Sequence, residues 1–156
     1  MEFSNSLTKD NLMRAFAGES QARNRYTFAA SQAKKNGLQV ISAIFAFTAS
    51  QEKEHAEIFY NHLKELSGST IFIDGGYPVD ISDDMADLLG RAQHNEYEEH
   101  DSVYKSFGAT AKQEGFDQVA ASFLQIAAIE KIHGDRFGRY AQLLRDGKLF
   151  VSDVEE

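Results

Sequence analysis

The sequence predicts an all-α protein, a four-helix bundle with one long crossover between its second and third helices. Three observations predict it. Helical periodicity runs through four long segments, roughly 8–36, 38–66, 82–114 and 116–146, with a single proline, Pro78, in the whole chain. The second half repeats the first: a shift of 78 residues places Tyr26 on Tyr104, Gly37 on Gly115, Phe45 on Phe123, Glu52-Lys53 on Glu130-Lys131, His55 on His133 and Phe59 on Phe137. Between helices two and three, Ser67 to Pro78 is too long for a tight turn and rich in glycine and serine.

Taken in order, the first helix ends at Gly37 and the third at Gly115, each a glycine just past a helix end. The crossover after helix two lets helices two and three run parallel. Ser82, with Asp83 and Asp84 behind it, marks the start of the third helix, because acidic and hydroxyl side chains satisfy the free N–H groups there. After Asp146 the tail, 147–156, reads as extended or loosely docked, with Phe150 and Val151 among polar residues.

Composition narrows the function classes. At 156 residues and 42% hydrophobic content, residues 1–156 are expected to form one domain with a continuous core. A net charge of −8 with interspersed signs argues against nucleic acid and anionic membranes as partners. No leader pattern follows Met1 and no apolar run approaches membrane-spanning length, so a cytoplasmic location is expected. With no cysteine, any metal must sit on carboxylates and imidazoles.

The chemistry follows from where those groups fall. The core stripes read Leu12, Ala15, Glu19, Ala22, Tyr26 on the first helix and Ile41, Phe45, Glu52, His55, Phe59 on the second. The third gives Leu88, Ala92, Glu96, Glu99, Val103, and the fourth Val119, Phe123, Ile126, Glu130, His133, Phe137. Spacings of three, four and seven put each acid or imidazole on the apolar side. Glu54, Glu57, Glu65, Glu98, His94 and His100 fall off these stripes, and His62 lies near the bundle end.

An ionised carboxylate taken out of water costs several kcal/mol, and a domain is stable by only about 5–15 kcal/mol. Five unpaired ones would unfold it. Either they hold protons or cations bind them; two divalent ions bring +4 against the −5 of Glu19, Glu52, Glu96, Glu99 and Glu130. With 13 Glu and 5 His in the chain, chance gives about 0.4 Glu-x-x-His pairs, so one is unremarkable and two on repeat-related core positions are not. A Glu from each of two helices plus Glu-x-x-His from each of the other two is the ligand set of a carboxylate-bridged dinuclear site. Glu19 and Glu96 are then terminal ligands, Glu52 and Glu130 bridges, and His55 and His133 one nitrogen each. Glu99 is surplus.

At these residues the chain resembles the rubrerythrins: Ala15 to Tyr26, Glu52-Lys53-Glu54-His55, Glu96-x-x-Glu99 and Glu130-Lys131-Ile132-His133 carry the resemblance over essentially the whole length. It implies a ferritin-like bundle holding two iron ions, with manganese or zinc as possible substitutes, and a non-haem di-iron peroxidase that reduces hydrogen peroxide to water in oxidative-stress defence. It also implies that Glu99 and His55 exchange at one iron, Glu99 binding the ferric and His55 the ferrous form. Electrons would come from an external rubredoxin or a flavoprotein reductase of the NADH-linked kind. The small cysteine-rich domain that usually follows in the family is not in this sequence, by nature or by truncation. The expected assembly is a homodimer, with or without exchange of helices, or a tetramer. A ferroxidase or iron-handling role is the alternative.

Tyr26 and Tyr104, repeat-related, are either core tyrosines or hydroxyl donors to terminal carboxylates such as Glu19 and Glu96, with a part in catalysis. Glu19 precedes Tyr26 by seven residues, but Glu96 precedes Tyr104 by eight. One extra residue rotates an α-helix by about 100°. The expectation is a π-bulge between Glu96 and Tyr104 that presents Glu99 to the metals.

Overall fold

The computed structural model describes residues 1–149; Phe150 and Val151, and with them most of the expected extended tail, lie outside the described residues. Helices α1 (Leu7–Lys35), α2 (Gln39–Asn61), α3 (Met85–Glu98), α4 (Tyr104–Glu114) and α5 (Asp117–Arg145) are connected as two hairpins, α1 with α2 and α3–α4 with α5. A π-helical segment, Glu99–Val103, joins α3 to α4 without breaking the rod, where the extra residue of the repeat required it. No strand occurs among the described residues, and no helix in them is long and apolar enough to cross a membrane.

The two hairpin turns are built identically. Gly37 (φ 76°) and Gly115 (φ 92°) take the left-handed conformation that only glycine adopts without strain. In the first turn Leu38 N donates to Ala33 O at 2.9 Å and Gly37 N to Lys34 O at 3.1 Å; in the second Phe116 N donates to Ala111 O at 2.8 Å and Gly115 N to Lys112 O at 3.1 Å. This is the paired carbonyl capture that closes a helix C-terminus and re-aims the chain.

Two helix boundaries differ from expectation. The third helix begins at Met85 instead of 82, because Asp84 Oδ1 accepts from Ala86 N at 2.9 Å and Asp87 N at 3.4 Å, while Ser82 Oγ is spent on Asp84 N. The second stops at Asn61 and tightens into a 3₁₀ turn, Lys64–Leu66, before Gly68 (φ 90°) releases the chain. At the start of α1 an unanticipated cap comes from another helix: Glu114 of α4 accepts from Leu7 N at 3.0 Å and Thr8 N at 2.8 Å.

The crossover is pinned along α1 in order. Asp74 meets Arg14 at 3.0 Å, Tyr77 Oη donates to Arg14 O at 3.1 Å, Asp80 lies 3.9 Å from Arg25, and Gln32 Nε2 donates to Ser82 O at 2.7 Å. The chain therefore leaves the end of α2, runs the length of α1 and starts α3 at the end where α2 began. Helices α2 and α3 accordingly run parallel.

The core is split in two. One cluster centres on Tyr26, Phe45, Leu89 and Phe137, the other on Leu12, Phe59, Tyr104 and Phe123. Ring centroids lie 5.2 Å apart for Phe45–Phe137 and 5.0 Å for Phe59–Phe123. The 78-residue shift maps Phe45 to Phe123 and Phe59 to Phe137, so the pseudo-twofold exchanges the clusters and passes between them. What lies between is not apolar.

Candidate metal centre

Between the clusters the four helix rods each point an acid inward. Glu19, Glu52, Glu96 and Glu130 are at most 1% exposed, and His55 and His133 are buried beside them. Their donor atoms form two overlapping sets: Glu19, Glu52, His55 and Glu130 in one, Glu52, Glu96, Glu130 and His133 in the other, all atoms of a set within 4.8 Å of one another. Glu52 and Glu130 belong to both sets. That sharing is the geometry two bridging carboxylates require.

The imidazoles turn Nδ1 inward. His55 Nδ1 lies 3.0 Å from Glu130 Oε1, and His133 Nδ1 lies 2.9 Å from Glu52 Oε1 and 3.3 Å from Glu130 Oε2. His133 Nε2 donates to Gln51 Oε1 at 2.6 Å, which orients the ring with Nδ1 toward the carboxylates. Gln51 was not a sequence candidate; nothing in the repeat marks it, since its counterpart is Ile129.

The tyrosines cross the site diagonally. Tyr26 Oη donates to Glu96 Oε1 at 2.8 Å and Tyr104 Oη to Glu19 Oε1 at 2.7 Å. Each hydroxyl thus holds the terminal carboxylate of the opposite half. Burial, with the nearby carboxylates, keeps both phenols well above their ordinary pKa of 10.0, so they stay protonated donors.

The electrostatics of the metal-free site are those of a cation pocket. Burial and then the Glu96 charge push Glu52 from 4.5 up to about 8. Burial likewise raises Glu99 and Glu130, while Glu96, despite its burial, is held low by hydrogen bonds from Glu130, His133 and Tyr26. Burial and the His133 charge depress His55 to about 4. His133 is also disfavoured by burial, yet Glu52 and Glu96 outweigh it and lift it to about 9. Glu19 Oε2, both oxygens of Glu52, Glu96 Oε2 and Glu99 Oε2 are buried with no hydrogen-bond partner. Buried orphan oxygens on this scale are costly unless a cation collects them. The residues present therefore fit two metal ions of oxygen- and nitrogen-binding type.

Glu99 stands in neither set. It opens the π segment, close enough for its charge to couple to Glu96 and Glu52, and its Oε2 is buried. The π segment is itself tied down by His100, whose Nδ1 donates to Ala127 O of α5 at 2.8 Å. Glu54, Glu57, Glu65, Glu98 and His94 are exposed, and His62 bonds Ser122 Oγ at 2.8 Å, away from the site.

The rubrerythrin family model matches residues 10–140 and 87–155. The chain is 45% identical over 147 residues to the rubrerythrin of Clostridium perfringens, covering 94% of this chain and 75% of that protein. It is 42% identical to the rubrerythrin of Nitratidesulfovibrio vulgaris, covering 95% and 76%. The fully reduced, all-ferrous nigerythrin superposes with a TM-score of 0.78 at 24% identity, over 92% of this chain and 72% of that one, a likeness of fold. A ferritin-like bundle, two interlocked Glu/His sets and matches of this extent together establish that the chain belongs to the rubrerythrin family.

Proposed function

We propose that this member of a family of di-iron oxidoreductases reduces hydrogen peroxide to water, drawing electrons from a separate rubredoxin or flavoprotein reductase. The observation that carries the reading is the pair of ligand sets sharing Glu52 and Glu130, with a spare acid, Glu99, beside them. When bound, two iron ions supply one electron each by cycling between ferrous and ferric.

The chain's own residues do the rest. Glu19 and His55 would hold one ion and Glu96 and His133 the other, with Glu52 and Glu130 shared between the two sets. Tyr26 and Tyr104 keep Glu96 and Glu19 oriented through ligand changes. Gln51 locks His133, whereas among the described residues His55 is hydrogen-bonded only through Nδ1. As the family resemblance implies, His55 would be the exchanging ligand, with Glu99 taking its place where added negative charge is needed. Peroxide consumes two electrons and two protons, its O–O bond breaks, and two waters leave. Glu99, whose carboxyl burial raises well above its ordinary 4.5, is the group placed to relay these protons from solvent.

The test is anaerobic iron loading, reduction, and rapid mixing with hydrogen peroxide or dioxygen while following the ferric absorbance. Peroxide should react far faster than dioxygen. The reverse order, with iron accumulating as mineral, would favour the ferroxidase alternative, and activity restored by manganese alone would reassign the metal.

A further inference from the structure

The crossover does more than connect helices. Arg14 Nε donates to Asp74 O at 2.9 Å, and Arg14 Nη2 meets Asp74 Oδ1 at 3.0 Å. Tyr77 Oη returns to Arg14 O at 3.1 Å. These contacts hold the Tyr77 ring over α1 at Gly18, where an added Cβ would sit 3.4 Å from Tyr77 Cε1. Glycine inside a helix costs about 1 kcal/mol relative to alanine, and here it stands one residue before Glu19. Beneath the ring lies a cleft of about 200 Å³ lined by Gly18, Gly76, Tyr77, Glu99 and Tyr104 among others. The larger cleft on the other side of the crossover, about 420 Å³, touches Tyr26 but none of the site carboxylates. The strap cleft alone of these two joins solvent to the spare acid.

We propose that this cleft is the entrance for the oxidant and that Tyr77 sets its size limit, admitting small neutral hydroperoxides and excluding bulky ones. The inference rests on the peroxidase reading for its substrate, but the entrance is a property of the fold. Peroxide occupies roughly twice the 30 Å³ or so of a water, so it fits with room for its hydration. Glu99 in the wall and a net charge of −8 disfavour anions, and Arg14 is engaged by Asp74. Glu99 would be the first site acid an entering molecule meets.

Two variants of the whole 156-residue chain, loaded with iron, test this. Tyr77→Ala should raise the rate with cumene hydroperoxide at least about tenfold while hydrogen peroxide changes less than about threefold; Tyr77→Phe should keep the wild-type ratio. The chain has no cysteine, and a Cβ at Gly76 meets nothing within 4 Å, so Gly76→Cys offers a unique thiol at the rim. Coupling it to a bulky maleimide should slow the uptake of nitric oxide by the reduced protein, and peroxide turnover, by about tenfold without releasing iron. Nitric oxide is a small neutral probe read by absorbance and needs no peroxidase chemistry. Slowed nitric oxide uptake in a protein inert to peroxide would keep the entrance and discard the peroxidase. Unslowed uptake in the labelled variant, or an unchanged cumene-to-peroxide ratio in Tyr77→Ala, overturns the proposal.

Discussion

Stripping metal from this protein should make its stability fall as pH rises above neutrality. Glu52 carries the argument: it is fully buried, and burial followed by the Glu96 charge moves its pKa from 4.5 to about 8. Between those values the folded chain keeps a proton that the unfolded chain has released, so stability drops with rising pH. His133 acts in the same direction. Burial disfavours its charge, but the close carboxylates of Glu52 and Glu96 win and raise it from 6.5 to about 9, so its contribution is complete below 6.5 and gone above 9. His55 opposes them, depressed from 6.5 to about 4 by burial and then by His133, yet its contribution is already in place by pH 6.5.

Above 6.5, then, only the falling contributions remain. Glu52 and His133 balance each other's charge, so their effects are not added. Crossing from 6.5 to 8 for the one or to 9 for the other, at about 1.4 kcal/mol per unit, gives a loss of about 2–4 kcal/mol. For a chain of this length that lowers Tm by roughly 5–10 °C. Thermal melts of the metal-free protein, followed by far-ultraviolet circular dichroism in chelator between pH 6.5 and 9, measure it. Glu52→Gln should flatten the slope, which separates the site from general repulsion at a net charge of −8. Metal-loaded protein should show the opposite trend, since its ligands must shed protons to bind. A metal-free Tm that holds or rises over this range, or the same slope in Glu52→Gln, refutes the reasoning.

Glu99→Ala should still bind two metal ions, because neither four-residue set includes Glu99, while peroxide turnover falls at least about tenfold; bound metal and stopped-flow rates check the split. Gln51→Leu removes the partner of His133 Nε2 and should weaken metal affinity about 10–100-fold, read by competition with a chelator. Phe59→Ala opens a cavity among Tyr104 and Phe123 and should cost about 3–5 kcal/mol in denaturant unfolding, with the metal content of the folded protein preserved.

Much of this architecture was legible because burial leaves a periodic trace. Glu19, Glu52, Glu96, Glu130, His55 and His133 share the phase of leucines and phenylalanines, and a charged residue in that phase has few explanations other than a ligand. The residues that escaped notice act across helices from positions with no phase of their own. Gln51 neighbours Glu52 in sequence but serves His133 on α5, and Glu114 caps a helix more than a hundred residues away. His100, off the stripe, proved to be an anchor of the π segment. The crossover read only as length; that Tyr77 folds over Gly18 depends on three hydrogen bonds to Arg14 that no local pattern announces.

The one break in the repeat explains how a symmetric scaffold acquires an asymmetric site. Eight residues from Glu96 to Tyr104 in a pure α-helix would swing Tyr104 about 100° from the position its counterpart Tyr26 holds. Yet the two diagonal bonds, Tyr26 to Glu96 at 2.8 Å and Tyr104 to Glu19 at 2.7 Å, are nearly the same length. The wide turn over Glu99–Val103 absorbs the extra rotation, so both halves close on the site as if no residue had been inserted. The inserted turn is therefore not damage repaired elsewhere. It leaves the symmetric ligands undisturbed and places an additional acid, Glu99, at the foot of the cleft under Tyr77. Symmetry supplies two matching sets of acids and imidazoles, and one added residue sets a further acid beside them.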